Sequence, residues 1–514
     1  MTADNLRLLL AEAKKRNVTL WVTNGKVACR APRGVLTEEF KGRIRSAAAD
    51  VIAYLNGPTY TVRGPVATTA VDPAKAAEWQ AAMTGELAVH YTNGTHVALH
   101  LARPVEIERL RKAADILIAR YPILGARLRA GRSGPEFAFE PSLPACLEVE
   151  DVSVLDQGSR GKATEEALTR MVWRPFACNN ETLFRVFVVN ISQVEHIVGF
   201  VAHHLICDMW AMSILLRELA SEYMPDAVHY ERSSQAPSLQ YSDYAASMAD
   251  WLQGPAQQAR LDYWRNQLRN APATRIEPDY HPDARAAAPL AITPVVFSAT
   301  VCAGVERAVR ERGTTMFFAL LAAKCLALST LSGSRDVVVM VVHARRQHDM
   351  LTGLIASTAD QLAIRVRLSG KMTFYELLVL VQETLEGAIS HEIPFGVLSR
   401  HFAAFGTPGI FPFFNFIDGP RSPLATAEIS KVGARVNVAP PPQPMRTAAE
   451  MASHAINVVA DGTGIFGQIT YSPLLYARQT MERFAEIWAR ALQCFGKEPS
   501  LALDDVLQLA LCSE

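Results

Sequence analysis

The chain has 514 residues, 49% of them apolar and 20% charged, with Lys+Arg and Asp+Glu equal at 51. The length allows roughly three domains at about 150 residues each, and the charge balance argues against a nucleic-acid or membrane-surface role for the whole protein. No apolar run approaches the about 20 residues needed to cross a bilayer, and Met1-Thr2-Ala3-Asp4-Asn5 lacks the basic and apolar regions of a signal peptide, so a cytoplasmic location is expected.

Residues 1–57 read as a separate unit. Leu6, Leu9, Leu10 and Ala13 recur at helical spacing. Val18 to Val22 and Lys26 to Arg30 then flank Thr23-Asn24-Gly25, a strong hairpin signal because a type I′ turn needs positive φ. A helix is predicted from about Thr37 to Leu55, ended by Asn56-Gly57-Pro58. The unit carries ten basic side chains against five acidic ones. A basic hairpin edge invites an acidic peptide as a further strand, and it also discourages aggregation.

Residues 58–72, with Pro58, Gly64, Pro65 and Asp72, read as a linker. Beyond it helices and strands alternate, giving an α/β (α+β) class. Ile107 to Tyr121 is an amphipathic helix, Leu183 to Asn190 and Glu195 to Phe200 are strands, and Gln257 to Leu268 is a helix. The Pro- and Ala-rich stretch from Asn270 to Pro289 marks a crossing between two halves, 73–268 and 269–514. Thr315 to Leu331 is an apolar helix, and Asp336 to Val342 a buried strand. Eight cysteines are scattered with no Cys-x-x-Cys pair, which makes metal and redox motifs weak readings. Cys207, inside a turn, fits packing better than nucleophilic attack.

The most informative stretch is Ala202-His203-His204-Leu205-Ile206-Cys207-Asp208. It follows a buried strand and precedes a helix, so an imidazole stands at a strand end, where a rigid scaffold can offer a base to a substrate. Successive side chains in extended chain point to opposite sides, so only one histidine can face a given cleft. Asp208 is read as holding the turn by pairing with an arginine while capping the helix, in preference to a catalytic role.

Further motifs follow in order: Tyr241-Ser242-Asp243-Tyr244-Ala245, Val341-Val342-His343-Ala344-Arg345, Gly353 to Leu362, His391-Glu392-Ile393-Pro394-Phe395, Phe413-Phe414-Asn415-Phe416, and Ile469 to Leu475. With the histidine motif they resemble the condensation domains of nonribosomal peptide synthetases, from about Val71 to the last helices. The first unit resembles the β-hairpin docking domains at the N-termini of such synthetases, a match that includes Ala31-Pro32-Arg33-Gly34-Val35-Leu36-Thr37. The resemblance implies two chloramphenicol-acetyltransferase-like lobes in a V, with a tunnel between them, preceded by a small α-β-hairpin-α domain. It implies no bound cofactor or metal. The acyl donor would arrive as a thioester on the phosphopantetheine arm of an acyl or peptidyl carrier protein. By family role His204 faces the tunnel, either taking the proton of the attacking amine or hydroxyl or chiefly orienting it. His203 is structural, and Asp208 pairs with Arg345, which otherwise reads as a solvent-facing strand-end charge.

Met209 stands where the family usually has glycine, and with Trp210, Ser357 and Asn415 it is a candidate tunnel residue. Ala211 replaces a common serine, and the first family motif, near Val66 to Leu87, is barely recognisable. No carrier serine motif, adenylation domain or thioesterase elbow is evident, so the protein is expected to be free-standing and to meet its carrier in trans. Lys26, Arg30 and Arg33 are the candidates for contact with an acidic carrier tail. The layout also resembles hairpin-tagged condensation enzymes that release a polyketide as an ester, which favours a small soluble acceptor. Acyl-CoA-dependent HxxxD acyltransferases, epimerisation domains and a non-catalytic carrier-recruiting platform are the competing readings.

Overall fold

The computed structural model describes residues 3–16, 18–23, 26–32, 35–73, 75–76, 79, 94–132, 134–139, 145–178, 180–225, 239–281, 288, 291–402, 412–418, 433–436, 438, 455–460 and 465–511. The first unit is helix α1 (Ala3–Lys15), a hairpin of β1 (Thr19–Thr23) and β2 (Lys26–Arg30), and helices α2 (Glu38–Ser46) and α3 (Ala48–Asn56). The single helix expected over 37–55 is broken at Ala47 into two nine-residue helices. Its apolar stripe survives the break: Phe40, Ile44, Ala47 and Val51 meet Leu6, Leu9, Ala13 and Val18 in one small core. Ala259 of a later helix completes that core, so the unit is seated on the rest of the protein.

Segment 58–72 is not a loose linker. Arg63 N–H donates to Asp243 Oδ1 (2.6 Å) and Thr61 N–H to Ser247 Oγ (3.3 Å). The Tyr60 ring stacks on Tyr244 at 5.9 Å. Residues Thr68–Ala70 then form strand β3 against β6 (Gly134–Phe139), which also pairs with β5 (Ala126–Gly131). A Pro/Gly-rich composition signalled irregular chain, but side chains of the helix Tyr241–Gln253 satisfy part of its backbone.

The first half is built on a sheet of β4 (Gly94–Leu101), β7 (Cys146–Asp151), β8 (Phe184–Ser192) and β9 (Glu195–His203). The second half carries β10 (Ala291–Phe297), β11 (Asp336–His343), β12 (Asp360–Arg367), β13 (Phe413–Asp418), β15 (Ala455–Ala460) and β16 (Ile465–Tyr471), ordered β10-β16-β15-β13-β11-β12. Between β13 and β15 the chain sends a two-residue strand, β14 (Ala434–Arg435), back to the edge strand β4 of the first sheet. The architecture is thus mixed helix and sheet, with no closed barrel among the described residues. Arg365 fixes the crossing between the halves by donating to the carbonyls of Gln267, Arg269 and Asn270 while paired with Asp336.

The apolar helix Met316–Ser332 lies behind the second sheet and is buried along most of its length. No single helix among the described residues is long and apolar enough to cross a membrane.

Candidate active site

Strand β9 runs to His203, three residues beyond the predicted end at Phe200. Its neighbours hold the end rigidly: His203 N–H donates to Leu183 O (2.8 Å), and Gly94 of β4 lies opposite. A tight turn follows, with Ile206 N–H on His203 O and Cys207 N–H on His204 O. Asp208 then caps the helix Met209–Tyr223 by accepting from Ala211 N–H at 2.8 Å.

The two imidazoles separate as extended geometry requires. His203 is 2% exposed and sandwiched by aromatic rings, stacked on Trp79 at 5.0 Å and edge-on to Phe176 at 5.6 Å. Its Nδ1 accepts from Leu205 N–H (3.2 Å), which places the proton on Nε2. Burial, then the proximity of His204 and Arg185, push it down to about 3. It is a neutral packing element.

His204 is open to solvent. Desolvation, then the charge of Lys75, hold its pKa below the usual imidazole range, against the opposing pull of Asp208. Cys207 is fully buried and its thiol is pushed well up by burial, which fits the packing role.

The Asp208–Arg345 pair implied by the family resemblance is not formed. Arg346 takes that place: its Nη2 donates to Asp208 Oδ1 at 3.1 Å and Oδ2 at 3.3 Å. Thr358 N–H, Thr358 Oγ–H and Ala359 N–H donate to the same Oδ2. Arg346 also donates to the carbonyls of Leu351, Leu354 and Ala356. One carboxylate therefore joins a helix of the first half to two loops of the second.

Arg345 is not solvent-facing either. Its φ of +53° turns the chain at the end of β11, so consecutive arginines leave in different directions. Arg345 Nε lies 2.9 Å from Glu392 Oε1, and Nη1 lies 3.6 Å from Asp360 Oδ2. Burial opposes the Arg345 charge, but Glu392, Tyr244 and Asp360 outweigh it and raise its pKa. Glu392 also contacts His343 Nδ1 (3.2 Å) and offers its carbonyl to Arg260, whose guanidinium reaches Tyr54 O in the first unit.

The remaining candidates are dispersed. Met209 is exposed, at 37%. Trp210 is an inter-half strut, with Nε1 donating to Thr352 O (3.0 Å) and its ring under the Arg346 guanidinium. Ser357 is 4% exposed beside Thr358, and its Oγ has no partner among the described residues. Asn415 is half-buried on β13, on the sheet face opposite Phe414 and Phe416, which pack on Phe317. In the hairpin, Thr23 faces Lys26 and Thr19 faces Arg30 across the ladder, so both basic side chains share the exposed face of Trp21. Arg33 lies outside the described residues.

Sequence reasoning gave no role to Arg346, Trp79 or Lys75, and took Thr358 and Glu392 only as parts of longer motifs. Arg346 was visible only as the neighbour of the expected arginine, and Trp79 and Lys75 fall in the stretch where the family motif is weakest.

Comparison with known proteins shows the family. The model of the family described as "Condensation domain" matches residues 71–510. The chain belongs to that family. A second model, "TubC N-terminal docking domain", matches residues 7–56. Malpibaldin synthetase of Mortierella alpina is 29% identical over 304 residues, 58% of this chain but 5% of the synthetase. The chain thus spans a small fraction of the length of such relatives. Among solved structures, the EpoB cyclization-docking bidomain from Sorangium cellulosum is similar with a TM-score of 0.68 at 17% identity, covering 97% of this chain and 99% of that one. The condensation domain mediating chain release from the enacyloxin polyketide synthase has a TM-score of 0.67 at 20% identity, covering 100% and 98%. Both likenesses run over nearly the whole chain and show a shared overall fold.

Proposed function

We propose that this condensation-domain protein is a cytoplasmic acyltransferase of a nonribosomal peptide or polyketide assembly line. It moves an acyl group from a carrier protein's phosphopantetheinyl thioester to an amine or a hydroxyl. An ester with a small soluble acceptor is the favoured product. The observation that carries the reading is His204: a solvent-open, neutral imidazole on a rigid strand end, one turn from the carboxylate that joins the two halves.

His204 accepts the proton of the acceptor's O–H or N–H as that atom attacks the thioester carbonyl. The tetrahedral intermediate collapses with cleavage of the C–S bond, and the leaving thiolate takes the proton from His204. The base is regenerated and the carrier leaves as a free thiol. A depressed imidazole pKa keeps the base form populated at neutral pH, which suits this role.

The first unit brings the carrier to the site. Its two-stranded hairpin leaves unpaired edges, and Lys26 and Arg30 flank exposed Trp21 on one face. An acidic carrier tail added as a third strand would meet both charges and raise the local concentration of the thioester.

The test is single-turnover unloading of an acyl-loaded carrier, followed by intact-protein mass spectrometry with candidate amines and alcohols. His204→Ala is expected to lose at least about a hundredfold in rate, the usual range for a general base. Unchanged unloading by that variant would falsify the role of His204.

A further inference from the structure

Helix α3 closes the docking unit with carbonyls that another part of the chain satisfies. The last carbonyls of a helix have no partner within it, and they give its C-terminus partial negative charge. The last turn of α3 holds no basic residue. Arg260, on the helix Pro255–Gln267, brings the cation from outside. Its Nε–H donates to Tyr54 O at 2.8 Å, and its Nη2–H donates to the same oxygen. Trp251 Nε1–H, from the helix Tyr241–Gln253, donates to Ala53 O at 3.3 Å. The Trp251 ring also lies under the Arg260 guanidinium at 5.3 Å.

The same guanidinium reaches the second half. Its Nη1–H donates to Glu392 O at 2.5 Å, and the Glu392 carboxylate holds Arg345 and His343. The Tyr54 ring stands edge-on to His391 at 5.7 Å, and His391 stacks on Tyr263 at 3.9 Å. Ala259, the residue before Arg260, belongs to the core of the docking unit. Arg260 is 4% exposed. Three parts of the chain thus meet on one buried planar group. A guanidinium suits such a junction, because its donors leave in fixed directions and bonds at both ends set an angle as well as a distance.

From this arrangement we propose that Arg260 is a positioning residue: it pins the docking unit in one orientation, so that a carrier captured on the hairpin meets the active site from a fixed direction. The inference rests on the reading of the hairpin as the carrier's seat.

A hairpin on a loose tether would capture a carrier tail but leave the carrier to search a wide volume. A pinned hairpin confines that search and raises the effective concentration of the thioester at the site. The chain after the unit gives little slack, since Thr61 N–H and Arg63 N–H are held by Ser247 and Asp243 of the helix that carries Trp251. The corner between the helices Tyr241–Gln253 and Pro255–Gln267 therefore seats both the docking unit and the segment that follows it.

The experiment uses the full chain and three measurements. Small-angle scattering of the wild-type protein should fit one arrangement of the unit on the body, whereas Arg260→Met should need an added population with the unit detached. Affinity for an Asp/Val-alternating peptide, followed by Trp21 fluorescence, should be the same in both proteins. Unloading of an acyl-loaded carrier bearing that peptide as its tail is compared with turnover of the same acyl group on N-acetylcysteamine. The ratio of the two rates should fall at least about threefold in Arg260→Met, as the effective concentration drops. A wild-type curve that already needs a detached population, superimposable curves for the two proteins, or an unchanged ratio would each overturn the proposal. Peptide affinity lost in Arg260→Met would mean that Arg260 folds the unit instead of aiming it, and would overturn it too. Equal peptide binding by Lys26→Glu with Arg30→Glu rejects the charged seat beneath the proposal, and the scattering result stands apart from that outcome.

Discussion

Exchanging the arginine that clamps Asp208 has a consequence that a double-mutant cycle can isolate. Arg346 and Asp208 side chains are 2% and 4% exposed, so neither charge is screened by water. Removing one partner of such a pair costs about 3–5 kcal/mol, because the other charge is left buried. Arg346→Met and Asp208→Asn should each approach that loss in urea unfolding. The double variant should cost less than their sum, with a coupling energy of about 2 kcal/mol. Arg345→Met will also destabilise, since it strands Glu392. A single substitution therefore does not separate the two arginines. The cycle does: Arg345 and Asp208 share no bond, and their coupling should stay below about 0.5 kcal/mol, whereas Arg345→Met with Glu392→Gln should couple strongly. Coupling of Asp208 to Arg345 in place of Arg346 would refute the assignment.

Three further expectations follow from the same geometry. His203 is neutral in the folded protein and held at about 3, whereas an unfolded histidine titrates near 6.5. The unfolded chain then binds more protons between those values, so stability contributed by this site is full above about 6.5 and is lost as pH falls toward 3, by up to about 4–5 kcal/mol. His203→Phe should flatten that acid limb in unfolding measured from pH 7 to pH 4, and an unchanged slope would count against a neutral buried ring. A Cβ at Gly199 would meet Val97 O at 2.2 Å and Phe187 Cζ at 2.4 Å, so Gly199→Ala must part β9 from its neighbours. A fall of about 1–3 kcal/mol is expected by calorimetry, and a variant as stable as the parent would show that the strand relaxes freely. Lys26→Glu with Arg30→Glu should weaken binding of an Asp/Val-alternating peptide at least tenfold at low salt, with the difference shrinking as salt rises. Fluorescence of Trp21 reports it, and equal affinity would remove charge from the docking interaction.

Much of the fold was legible in the residues. Periodicity located the helix Met316–Ser332 and strand β11 within a residue or two, and Asn24-Gly25 between β-rich runs announced the hairpin. The histidine motif's place at a strand end, before a capped helix, was also readable, because alternation and capping are local rules. Even the split between the two histidines came from local geometry, since adjacent side chains of an extended chain cannot share a face.

What escaped the sequence was decided by contacts between distant segments. Composition marks 58–72 as irregular, but only packing shows that side chains of the helix Tyr241–Gln253 anchor it. β14 is two residues long, and its pairing with β4 crosses more than 300 positions of chain. The clamp turns on one dihedral angle: a positive φ at Arg345 sends it to Glu392 and leaves Arg346 for Asp208. The sequence by itself determined the local elements and the histidine pair at a strand end. Which arginine holds the halves together is set by tertiary packing, because charge and shape act through space without regard to position along the chain.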